Sequence, residues 1–161
     1  MQGNLRDLGR ALGFDVWIAA NDRGRPFGAG RLGDGCLEQL PLQGGEGFDS
    51  VRLIDVVWFE AATGTVAAAF EVEHSTSIYS GIVRMLDLAL GSGMGHGSSL
   101  FLVAPDERRQ EVAQQLRRPA FSRVAELGIR YLPYSQLAEH GPAIQRFGSG
   151  LKPLMEISQV L

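Results

Sequence analysis

The chain has 161 residues, 45% of them hydrophobic and 20% charged, with a net charge of −3 and a pI near 5.6. That length and balance predict one soluble globular domain over residues 1–161 with a sizeable core, and the mild acidity speaks against a broad basic footprint for nucleic acid. A single cysteine, Cys36, excludes an internal disulfide framework and a cysteine-rich zinc site. No apolar run reaches the roughly 18 residues of a membrane span, and the opening MQGNLRDLGRALG lacks a signal-peptide core, so a cytoplasmic location is expected.

Leu5, Leu8 and Leu12 recur at helical spacing over residues 4–12, and Gly13 ends that helix before the strand FDVWIA. From Gly24 to Gly47 glycine is frequent and periodicity is lost, which predicts a long mobile loop with at most a short strand. A strand over 51–59 (VRLIDVVWF), the turn EAATG and a strand over 65–73 (TVAAAFEVE) predict a hairpin. Ser75 or Thr76 is the expected N-cap of the following helix. Its apolar side carries Ile78, Ile82, Met85 and Ala89, and its polar stripe carries Ser77, Ser80, Arg84 and Asp87.

GSGMGHGSS reads as a flexible connector and LFLVA (100–104) as a strand buried on both faces. Pro105 and Asp106 open a helix running to Pro119. IRYLPY (129–134) is a further strand, and SQLAEHGPAIQRF supplies one or two helical turns. The order of elements predicts an α/β fold with a central mixed β-sheet flanked by helices.

The chemistry concentrates in the hairpin. Asp55 lies inside an apolar strand, with Leu53 and Val57 as same-face neighbours, and a carboxylate there is costly unless paired. Glu71 comes across the hairpin, and the two-residue strand period puts Glu73 on the same face as Glu71, beside Ala67 and Ala69. Two arrangements make three carboxylates tolerable. One is a hard cation such as Mg²⁺ or Mn²⁺. The other is a solvated outer face with Arg52 and Arg84 as partners.

Asp55, then Glu71-Val72-Glu73 on a hairpin, then the helix of FEVEHSTSIYSGIVRMLDL resembles the PD-(D/E)XK nuclease superfamily in an E-x-E variant, over residues 4–135. Ile54 stands where the family has proline, and Glu73 where it has lysine. The resemblance implies a restriction-endonuclease-like core of helix, three strands, helix and strand. It also implies metal-dependent hydrolysis of DNA phosphodiester bonds. Asp55, Glu71 and the Val72 carbonyl would hold Mg²⁺ or Mn²⁺, and Glu73 would orient or deprotonate the attacking water. DNA is then the partner, and the chain is a homodimer or part of a larger protein, since a duplex break needs two sites. The alternative is a nuclease fold that has lost cleavage and serves in nucleic-acid binding or protein interaction.

Arg84, on the polar stripe, either faces the site to hold a carboxylate or phosphate or pairs on the surface with Asp87 or Asp106. Arg23, Arg25 and Arg31 either grip a phosphate backbone or sit on a solvated loop. Asp7 is the candidate for a further acidic residue on the helix before the first strand; a solvated helix face and an N-terminal helix missing from a longer protein are the other readings. His74 is expected to be a hydrogen-bonded structural residue facing away from the carboxylates, with a ligand or base as the other reading. The doublets Arg108-Arg109 and Arg117-Arg118 flank one helix and are expected to be solvated, with contact to DNA as the other reading. The G-x-G-x-x-G at Gly28, Gly30 and Gly33 neither follows a strong strand nor opens a helix, so it predicts no dinucleotide site.

Overall fold

The computed structural model describes residues 1–42, 48–75, 77–91, 94–121 and 127–161, with backbone alone for 94–96. Helix α1 (Gln2–Ala11) lays Leu5 and Leu8 on the sheet and stops at Gly13, whose φ of +88° suits glycine. Strand β1 (Asp15–Ile18) follows. Within the expected long loop, β2 (Pro26–Phe27) and β3 (Gly30–Arg31) close a small hairpin. Its described part is tied down rather than loose. Arg6 lies over the Phe27 ring at 4.6 Å, Leu32 is buried, and the Leu37 N–H reaches the Val16 carbonyl at 2.8 Å. Residues 43–47 of that loop lie outside the described residues.

The strand expected over 51–59 is shorter. Helix α2 (Phe48–Val51) and a turn occupy its first half, with Leu53 N–H bonded to Ser50 and Ile54 N–H to Val51, and β4 (Val56–Phe59) begins only at the β-branched pair. Asp55 therefore stands at the entrance of β4 rather than within a strand, and Leu53 is turned to solvent rather than beside it. The expected hairpin forms: β4 pairs antiparallel with β5 (Val66–Val72) through a turn that places Gly64 at φ +67°.

Helix α3 (Ile78–Leu90) starts at Ser77 as N-cap rather than at Ser75, while Thr76 lies outside the described residues. It buries Ile78, Ile82, Met85 and Leu88. Strand β6 (Met94–Ala104) begins before LFLVA: Met94 pairs with Val66 of β5, and after a register shift Ser99 pairs with Ala68. Much of the expected connector is thus strand; residues 92–93 lie outside the described residues. A short 3₁₀ turn (Asp106–Arg108), α4 (Arg109–Leu116) and β7 (Arg130–Pro133) follow. Helix α5 (Tyr134–Phe147) is longer than one or two turns. It tolerates Pro142 because that residue is exposed and water can reach the carbonyl left without a donor. A final helix, α6 (Lys152–Ile157), was not foreseen; Leu154 anchors it, and Gln159 bridges to Tyr131.

The sheet order is β1-β4-β5-β6-β7, with β1, β4 and β5 antiparallel and β5, β6 and β7 parallel. The mixed sheet follows from connection chemistry. A tight turn joins β4 to β5, and parallel β5 and β6 need α3 as a crossover. One apolar cluster joins Val57, Ala69 and Leu102 to α3; the other joins Val56, Phe70 and Val103 to α1, α5 and α6. On that second face Phe14, Trp58, Phe70 and Phe101 form a row of rings with centroids 4.6 to 5.4 Å apart. Among the described residues no helix is long and apolar enough to cross a membrane.

A Cβ at Gly9 would fall 2.5 Å from the Trp58 indole nitrogen, so glycine lets α1 rest on the ring. Gly9→Ala should destabilise the protein by about 1–3 kcal/mol through overpacking, despite alanine's higher helix propensity. Urea unfolding checks this, and an unchanged midpoint would mean that α1 shifts freely on the sheet.

Candidate active site

Asp55 is held from three sides. Its carbonyl accepts the Ala19 N–H at 3.1 Å, which fixes its backbone against the end of β1. Its Oδ2 accepts the Val72 N–H at 2.7 Å, and its Oδ1 accepts Gln2 Nε2 at 2.8 Å. Extending the Val56↔Phe70 register by one residue sets Asp55 across from Glu71. Burial pushes the Asp55 carboxyl above its ordinary value, against the pull of those two hydrogen bonds. The same Gln2 Nε2 also donates to Asp22 Oδ2 at 2.7 Å, which brings a second aspartate beside Asp55.

Glu71 and Glu73 share the α3 face of the sheet. Glu71 is fully buried, and Arg84 forks onto it, Nε to Oε1 at 2.8 Å and Nη2 to Oε2 at 2.6 Å. Burial drives the Glu71 carboxyl up to about 8, and neighbouring Asp55 and Glu73 add to that rise, while Arg84 pulls it down. The Arg84 guanidinium is itself raised, chiefly by its hydrogen bond to Glu71. The pair is therefore the buried partnership of one carboxylate, not a solvated outer face. Arg52 pairs instead with Asp49.

Glu73 lies just past the last residue of β5, pinned through its backbone. Its N–H donates to the Val103 carbonyl at 2.8 Å, and its carbonyl accepts Arg108 Nη1 at 2.8 Å. Arg108 is braced in turn by a fork onto Glu111 at 2.9 and 2.8 Å, so this residue is not the solvated arginine expected. A Cβ on Gly81 would meet Glu73 Oε1 at 2.6 Å and Glu71 Cβ at 3.1 Å. Gly81 therefore lets α3 lie over both glutamates. Gly81→Ala should forfeit the roughly 1 kcal/mol of added helix propensity and displace the Glu73 carboxylate. Net stability should fall and any cleavage should drop further. Thermal unfolding beside a cleavage assay reads both, and a more stable, fully active variant would remove this role for Gly81.

A cavity of about 820 Å³ opens beside these groups, lined by Gln2, Asp22, Asp55, Glu73, Arg84 and Tyr134 among others. Val72 and Arg25 also reach it; Glu71 does not, and lies behind Arg84. Arg23 points elsewhere, over Trp17 at 5.1 Å and onto the Leu37 carbonyl. Arg31 stays exposed on β3, apart from the cavity lining. Asp7 pairs with Arg6 at 2.7 Å and does not line the cavity. His74 is exposed at the rim, its ring parallel to Tyr134 at 6.0 Å between centroids. The phenol of Tyr134 is raised by burial and then by the charges of Asp55 and Glu73. Gly28, Gly30 and Gly33 belong to the β2–β3 hairpin and its exit, not to a strand–helix crossing.

Sequence reading missed Gln2, Asp22, Tyr134, Arg108 and Gly81. For four of these no local pattern marks them. Gly81 carried a signal, a glycine inside an amphipathic helix, which usually has a packing reason. The oxygens of Asp55, Glu71, Glu73 and the Val72 carbonyl are the hard donors that suit Mg²⁺ or Mn²⁺. As arranged, however, no three His, Cys, Asp or Glu side chains among the described residues are grouped to hold an ion. The cation facing Glu71 is Arg84.

Helix, three antiparallel strands, helix and parallel strand, with carboxylates on the central hairpin, make this an α/β domain with the element order of a restriction-endonuclease-like core. Residues 1–147 match the family described as the type II restriction enzyme NmeDI C-terminal domain, and the chain belongs to that family. It is 32% identical over 142 residues to the type II restriction enzyme NmeDI of Neisseria meningitidis serogroup C. The match covers 84% of this chain and 39% of that enzyme, so the chain spans well under half the length of this relative. No solved structure shows a significant match.

Proposed function

We propose that the chain is the metal-dependent endonuclease domain of a type II restriction enzyme, a PD-(D/E)XK nuclease of the E-x-E variant that hydrolyses DNA phosphodiester bonds. The observation that supports this reading is that Asp55 and Glu73 line one large polar cavity, with Glu71 across the hairpin from Asp55 and beneath α3. Membership in a restriction-enzyme family supports it.

Asp55, Glu71 and the Val72 carbonyl would hold Mg²⁺ or Mn²⁺, whose contribution when bound is to polarise the scissile phosphate and favour ionisation of the attacking water. The residues do the rest. The Val72 N–H and Gln2 fix the direction of Asp55, so its carboxylate needs no reorganisation on substrate binding. Glu73, held through both backbone polar groups, orients or deprotonates the water at the cavity wall. Arg25, exposed at the rim, and Arg84, which lines the cavity, would meet phosphate oxygens. Arg31 on its hairpin would reach only a more distant phosphate, and Arg23 none. Two domains acting together, as a homodimer or within a larger protein, would cut both strands.

A second reading is a nuclease fold without cleavage, used for nucleic-acid binding or protein contact. The Arg84 fork on Glu71 favours it, because that glutamate is already neutralised. Incubating supercoiled plasmid with the protein and Mg²⁺ or Mn²⁺ separates the two. The nuclease reading expects nicked or linear DNA that EDTA prevents. Intact plasmid, together with no heat of ion binding at millimolar concentration, supports the second.

A further inference from the structure

Arg84 stands between Glu71 and the cavity. Its guanidinium takes both oxygens of a glutamate that makes no contact with the cavity, while its own side chain is 25% exposed and lines that cavity. Asp55, by contrast, already faces the cavity with its direction set by backbone. One carboxylate of the proposed pair is thus presented and the other is capped. A guanidinium and a divalent cation cannot both sit on Glu71 without repelling one another. The planar fork of arginine matches phosphate as well as it matches carboxylate, and a phosphate in the cavity lies on its open side.

We propose that Arg84 is a positioning residue that gates the cation site: it holds Glu71 until a DNA phosphate draws the guanidinium into the cavity, so that cation loading and DNA binding favour one another. The inference rests on the nuclease reading and deepens it. Coupling of this kind is reciprocal. If DNA tightens cation binding by some factor, the cation tightens DNA binding equally. The apparent affinity for the ion is weakened by the small fraction of molecules in which Glu71 is uncapped.

The test is Mn²⁺ binding, followed by calorimetry at pH 8, with a mixed-sequence duplex oligonucleotide added in a second arm and its own ion uptake subtracted. In the wild-type protein the duplex should tighten Mn²⁺ at least tenfold. Arg84→Gln, which keeps an amide hydrogen bond to Glu71 but removes the charge, should bind Mn²⁺ without DNA about as tightly as the wild type does with it. If Arg84→Gln does not fold, Arg84→Lys serves; it loses the fork and should show an intermediate coupling. Equal Mn²⁺ affinity with and without DNA in the wild type, unchanged by the substitution, overturns the gate while leaving a cleaving enzyme intact. A folded wild type and variant that bind no Mn²⁺ in either arm and cut no plasmid overturn the gate and the nuclease reading together.

Discussion

Asp55→Asn should abolish Mg²⁺-dependent plasmid cleavage, by about a thousandfold or more, while the protein stays folded. The size follows from losing several kcal/mol of charge stabilisation at the phosphate, with each 1.36 kcal/mol worth a factor of ten. The modest effect on stability follows from opposing changes. Asparagine gives up charge-assisted bonds from Val72 and Gln2, but it also ends the burial cost that raises the Asp55 carboxyl. Stability should therefore move by no more than about 1–2 kcal/mol. Glu73→Gln should likewise lose cleavage while keeping most Mn²⁺ affinity, since its proposed task is the water. Urea unfolding run beside a nicking assay reads each variant. An Asp55→Asn protein that is several kcal/mol weaker yet still cuts would make Asp55 structural and end its proposed role in holding the cation.

Why Asp55 and Glu71 were legible in sequence, while their surroundings were not, comes down to the range of the forces involved. Strand period and hairpin length are local, and they set Asp55 across from Glu71 even though β4 begins later than its apolar run suggested. Turns that consume a β-branched stretch, as at Val51 to Ile54, are decided by how α2 packs, which local propensity does not contain. Gln2 reaches Asp55 across 53 positions of sequence, and Arg108 reaches the Glu73 carbonyl across 35. Pairings at such separations are fixed by the order of strands in the sheet. Arg84 lay between. Its helical stripe was readable from spacing, and the choice between carboxylate, phosphate and surface partner was settled by the close approach that Gly81 permits.

The pH dependence of stability tests the Arg84–Glu71 pair directly. The folded-state value of Glu71, about 8, lies above the ordinary 4.5, so the native state binds the proton more tightly than the unfolded chain does. That stabilising contribution is complete below pH 4.5 and is lost as pH rises through 8; Asp55, also raised, acts in the same direction. With no divalent ion added, wild-type unfolding free energy should therefore decline from about pH 5 to 9. Arg84→Met removes a group that draws the Glu71 carboxyl down through a direct hydrogen bond, so the proton is held still more tightly. At pH 5 both proteins carry a neutral Glu71, and the variant loses only hydrogen bonds. At pH 9 the wild type ionises Glu71 against a guanidinium, whereas the variant must ionise it unpaired or pay to keep its proton. With the wild-type value at about 8, the gap should widen by about 1–1.5 kcal/mol by pH 9, since above that value the variant alone goes on losing about 1.36 kcal/mol per pH unit. Glu71→Gln, which cannot titrate, should flatten the wild-type decline over the same range. Urea midpoints at pH 5, 7 and 9 for the three proteins decide it. A gap between wild type and Arg84→Met that is the same at every pH would show that Glu71 does not change its charge in this window.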